Sequence, residues 1–76
     1  MLILTQTNIL INVDAIIDIY ADNGKIIADL NTNVLPEVVL GEYNNDETAE
    51  KVIERIAQSY GAITTFKMPK IEKGEI

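Results

Sequence analysis

Two hydrophobic periodicities divide the chain. Up to about residue 43, Ile, Val and Leu stand in short runs broken by Asn, Asp and Gly, the pattern of strands separated by turns. The runs predict strands near Leu2 to Thr5, Ile9 to Val13, Ile16 to Ala21, Lys25 to Leu30 and Glu37 to Tyr43. Asn23-Gly24 is the sharpest turn signal, because these two residues take the paired positive φ values of a type I′ hairpin at low cost. With that loop, Asp22 faces Lys25, Ala21 faces Ile26, Tyr20 faces Ile27, Ile19 faces Ala28, Asp18 faces Asp29 and Ile17 faces Leu30. One face is then apolar, with Ile17, Ile19 and Ala21 beside Ile26, Ala28 and Leu30. The other carries Asp18, Tyr20, Asp22, Lys25, Ile27 and Asp29. Pro36 has no N–H for a ladder, so the last strand starts after it.

From Asn45 to Gly61 the period changes to that of a helix. Ala49, Val52, Ile53, Ile56, Ala57 and Tyr60 form a stripe that is expected to face the sheet. Asn45 suits the N-cap, Asp46 and Glu47 complement the positive helix end, and Gly61 suits the stop. Glu47, Glu50, Lys51, Glu54, Arg55 and Gln58 make a solvated opposite side. After Gly61, Phe66 and Met68 fall on one side of a segment that either adds an edge strand or lies across the core, and Pro69 ends it. The expected fold is therefore α+β. An antiparallel β-meander of about five strands packs on one amphipathic helix over about 46–60, with an optional edge strand over 62–68. Residues 1–69 form the single domain and 70–76 a frayed tail.

This arrangement leaves a surplus of apolar surface. The pairs Ile16-Ile17, Ile26-Ile27 and Val38-Val39 put aliphatic side chains on both faces of the sheet, and one helix covers only one face. The candidate interface is Ile16, Tyr20, Ile27, Val39 and Tyr43. Three covers suit it: a second copy in a homodimer, the segment from Ile63 to Met68 folded over it, or a different protein partner.

Composition narrows the chemistry. The 76 residues hold one core, and a domain this small is marginal in isolation. There is no Cys and no His, which removes zinc centres, thiol or imidazole nucleophiles and Ser-His-Asp triads; no metal, cofactor or catalytic residues are assigned. The lack of Cys fits a reducing compartment, so the cytoplasm is expected. The apolar residues 1–17 carry no Lys or Arg and include Asn8, Asn12 and Asp14, unlike a signal peptide or membrane span. Twelve carboxylates against six Lys and Arg give a net charge of −6, which repels phosphates and anionic membranes. Centring a calcium loop on Gly24 puts Ile19, Ala21 and Leu30 at ligand positions, and the four scattered glycines make no phosphate loop. The acidity reads as solubility, or as mimicry of nucleic acid if Asp14, Asp18, Asp22, Asp29 and Glu37 form one stripe. Asp18 opposite Asp29 reads as a screened pair, or as a weak divalent-cation site.

The phrase Leu40-Gly41-Glu42-Tyr43, the capped start Asn45-Asp46-Glu47-Thr48-Ala49 and the ending Phe66-Lys67-Met68-Pro69 resemble a group of small uncharacterised proteins from Gram-positive bacteria and their phages. Ile11-Asn12-Val13-Asp14 is similar to a further phrase of that group. The resemblance implies the meander-plus-helix fold and a mobile-element origin, with Gly41 at a bulge or corner and Tyr43 and Phe66 packed around the helix. It supplies no catalytic or binding residues. The functional expectation is a non-enzymatic interaction module, as a homodimer; the alternative is an acidic inhibitor that occupies a nucleic-acid site on a host protein.

Overall fold

The computed structural model describes residues 1–34 and 36–70. Among the described residues six strands form two three-stranded sheets, which corrects the single five-stranded meander. In the first sheet β1 (Leu2–Leu4) is central, antiparallel to β2 (Leu10–Asn12) and parallel to β6 (Thr65–Lys67). The second is a true meander of β3 (Ile16–Asp22), β4 (Lys25–Leu30) and β5 (Glu37–Glu42). The split occurs at Asn12, whose Oδ1 accepts from Asp14 N at 2.9 Å and starts a 3-10 turn, Val13–Ala15, that carries the chain out of β2 before β3 begins. The expected 62–68 edge strand exists as β6, in the first sheet. Of the expected frayed tail, 71–76 lies outside the described residues.

Asn23 and Gly24 take φ of 52° and 82°, and the predicted register holds from Asp22↔Lys25 to Asp18↔Asp29. Beyond that it shifts. Ile16, not Ile17, pairs with Leu30, and Ile16 packs against the core while Ile17 is 66% exposed. Two adjacent isoleucines compete for one inward position, and a bulge settles it. A second bulge lies on β5, where Ile26 pairs with Gly41 but Ile27 with Val39; Leu40, left without a partner, is fully buried. Space is tight at Gly41, since a Cβ there would stand 3.1 Å from both Gln6 Cδ and the Tyr43 ring and would need those side chains to give way.

The helix α1 spans Asp46–Ser59, with Asn45 Oδ1 accepting from Thr48 N at 2.8 Å and Gly61 following at φ 82°. Its buried line is Ala49, Val52 and Ile56, with Ile53 partly covered. Two members of the expected stripe do not join it. Ala57 lies about 100° further round the helix than Ile56 and is exposed, and Tyr60, 63% exposed, is past the helix in extended backbone where the helical period no longer applies.

The core draws Ile3 and Phe66 from the first sheet, Met68 from just past β6, Ile26, Ala28 and Leu40 from the second sheet, and the helix line. Gln6 joins the layers. Its N–H donates to Leu40 O at 3.0 Å, its Oε1 accepts from Glu42 N at 2.7 Å, and its Nε2 donates to Glu42 O at 3.3 Å and Pro69 O at 2.8 Å. The buried Tyr43 donates its hydroxyl to the same Pro69 O at 2.6 Å. Nearby, Gly24 N donates to Asp46 Oδ1 at 2.7 Å and Gly24 O accepts from Tyr43 N at 2.8 Å, so the hairpin tip is fastened to the strand-to-helix corner.

Gln6→Ala removes three side-chain hydrogen bonds and should cost about 1–3 kcal/mol in denaturant unfolding; a neutral result would mean that water replaces the joint freely. Burial pushes the Tyr43 hydroxyl pKa up, against a lowering pull from Gln6 and Arg55. The folded state thus favours neutral Tyr43, and its contribution is full below the unfolded value of about 10 and lost as pH climbs through the folded value. Tyr43→Phe should cost about 1 kcal/mol near neutral pH, and the gap to wild type should narrow as pH rises past about 10. A gap that is constant with pH would contradict this assignment.

Candidate functional site

The registers of β3, β4 and β5 order the outer face of the second sheet into three rows. Asp18, Asp29 and Glu37 lie side by side across the three strands; Tyr20, Ile27 and Val39 form the next row. Beyond them Asp22 and Glu42 flank Lys25. The face is an apolar strip with an acidic row on one side and a mixed row on the other. Tyr20 is 40% and Val39 44% exposed, while Ile27, held between them, is only 9% exposed.

Three of the five candidate interface residues are therefore brought together: Tyr20, Ile27 and Val39. The other two are corrected. Ile16 turns inward because of the bulge, and Tyr43 is buried because β5 ends at Glu42 and its ring packs at the corner with its hydroxyl on Pro69. Ile17, which the alternation had placed inward, stands exposed on β3 instead. Nor does the segment from Ile63 to Met68 cover this face. Phe66 and Met68 enter the core and Ile63 remains exposed.

The like charges of the acidic row act on one another. Asp29 has its pKa raised, first by hydrogen bonding to the Asp18 carboxyl, then by partial desolvation and the negative charges of Asp18 and Glu37. Partial desolvation also raises Tyr20, with smaller contributions from Asp29, Glu37, Asp18 and Asp22. Of the five carboxylates proposed as a stripe, four share this face, and Asp14 lies apart in the 3-10 turn. The row does not converge on a point: strands are about 4.8 Å apart, and among the described residues no group of three or more His, Cys, Asp or Glu is placed to hold a metal ion. A hollow of about 320 Å³ beside Val39, Lys25 and Glu42 is lined in part by Gln6, whose amide is already hydrogen-bonded. The arrangement suits contact with another macromolecule: apolar area for burial, and charge beside it for orientation.

Sequence reasoning missed Gln6, for which there was no local signal. The expected acidic stripe did include Glu37, and the β4–β5 register sets that residue beside Asp29. No family model, curated protein or solved structure matches the chain.

A raised Asp29 pKa means that folding favours the protonated carboxyl. That contribution is present below the unfolded value of about 3.9 and lost as pH rises through the folded value, so ionised Asp29 weakens the fold near neutrality. Asp29→Asn should raise the thermal midpoint near neutral pH, with the gain fading below about pH 4. A gain independent of pH, or a loss, would show that the row is not under like-charge strain.

Proposed function

We propose that this chain is a small protein-interaction module that works through the outer face of the β3–β4–β5 sheet and carries no catalytic centre. The observation behind this reading is the row Tyr20–Ile27–Val39, in register across three strands, with Tyr20 and Val39 exposed on either side of the buried Ile27. Apolar residues aligned across three strands and edged with charge suit a partner surface better than solvent. Self-association is the form we carry forward, since a domain of this size gains stability by oligomerising. The lack of Cys supports a reducing compartment for it, and the likeness to small proteins of Gram-positive bacteria and their phages supports a mobile-element origin. A second reading, an acidic decoy for a nucleic-acid site, is favoured by the four carboxylates on the same face; such a partner would be displaced by added duplex DNA.

Val39→Lys tests the first reading. Val39 is exposed on an edge strand, so the substitution should change stability by no more than about 0.5 kcal/mol while placing an ammonium in the apolar row. Light scattering at two concentrations, with capture on the immobilised chain, should show the wild type binding itself or a partner and the variant binding neither. Equal binding by both chains, or none by either, would overturn the reading.

A further inference from the structure

The two outer sheet faces differ in sign. In the first sheet Ile3, Ile11 and Phe66 turn toward the core, so strand alternation puts Leu2, Leu4, Leu10, Asn12, Thr65 and Lys67 outside. This is a second uncovered apolar surface, with Leu10 58% exposed, and none of the six residues is acidic. Lys67 stands in register with Leu4, and Lys67 and Lys70 line a hollow of about 280 Å³ together with Leu4, Thr5 and Asn8. Leucines edged by lysines on the first sheet thus match the Tyr20–Ile27–Val39 row edged by Asp18, Asp29 and Glu37 on the second.

We propose that the occupant of the acidic face is the leucine-lysine face of a second copy, in a head-to-tail contact that sets Lys67 and Lys70 against the Asp18–Asp29–Glu37 row. The proposal rests on the interaction-surface reading and names the partner. Charge decides the geometry. Each chain carries −6, so two copies repel at long range, and a two-fold contact through the acidic face would add the repulsion of one set of carboxylates by another. Joining unlike faces replaces that repulsion with attraction while burying both apolar strips. A contact between two different faces leaves one of each free, so assembly continues unless the rotation closes a ring.

The test is light scattering over a range of concentrations, in low and high salt, on four samples. Wild type should grow in mass with concentration and shrink in high salt. The Lys67→Glu/Lys70→Glu double variant, with glutamates in place of the lysines that should meet the acidic row, and the Asp29→Lys/Glu37→Lys double variant, with lysines in that row, should each remain at the monomer mass. Their equimolar mixture should assemble. Circular dichroism confirms the fold of each, and Leu10→Asp gives an independent block through the apolar part. If Lys67→Glu/Lys70→Glu assembles like wild type, the head-to-tail contact is wrong. In that event, loss of assembly in Val39→Lys would leave the interaction face standing with a different occupant, and retention would remove both. A wild type that stays monomeric throughout overturns this inference alone, and the interaction-surface reading then depends on a captured partner.

Discussion

The amide of Gln6 is the constraint on which the layout depends. A three-stranded meander has two open edges, and an edge strand must find partners for its N–H and C=O groups. At β5 those partners come from Gln6, which follows β1 closely and lies against Leu40 and Glu42 with both its backbone and its side chain. The same amide reaches Pro69, just past β6, so one side chain ties together both sheets and the segment after β6. Gly41 is the counterpart of this arrangement, since any larger residue would press on Gln6 and Tyr43 together. The bulge at Leu40 serves it too, burying Leu40 fully while turning its backbone carbonyl to Gln6.

What the chain reveals locally it reveals well. The Asn23-Gly24 turn, the Asn45 cap and the Gly61 stop each depend on φ preferences or a side-chain oxygen within a few residues, and the structure uses all three. Where two inward solutions compete, local reading fails. Strict alternation turns Ile17 inward, yet Ile16 takes that place through the bulge where β3 follows the 3-10 turn. Three-residue strands carry too little pattern to show whether they extend a meander or start another sheet, so the separation of β1 and β2 was not legible. The candidate surface was half legible for the same reason: Tyr20 and Ile27 followed from the hairpin register, whereas Ile16 and Tyr43 depended on a bulge and a corner.

The outer face of the meander combines features that natural sheets usually keep apart. Like charges directly opposite across strands weaken a sheet, yet Asp18, Asp29 and Glu37 stand in one line, and they add to the desolvation that raises the pKa of Tyr20 beside them. In a domain with little core to spare, this is a local preference set against the fold. Stability resides in the inner layer of Ile3, Ile26, Leu40 and Phe66, and the outer rows vary the surface around it.

The parallel pairing of β1 with β6 has a consequence for the order in which the fold is made. Leu2 lies beside Thr65, so the two strands are separated by nearly the whole described chain. The Asn-Gly hairpin and the capped helix need only neighbours close in sequence and form early, whereas the first sheet must wait for loop closure across all of them. On a ribosome, residues 65–67 emerge last of the six strands, and until they do Ile3 has no Phe66 beside it. The first sheet is therefore the last part of the core whose strands are all available for pairing.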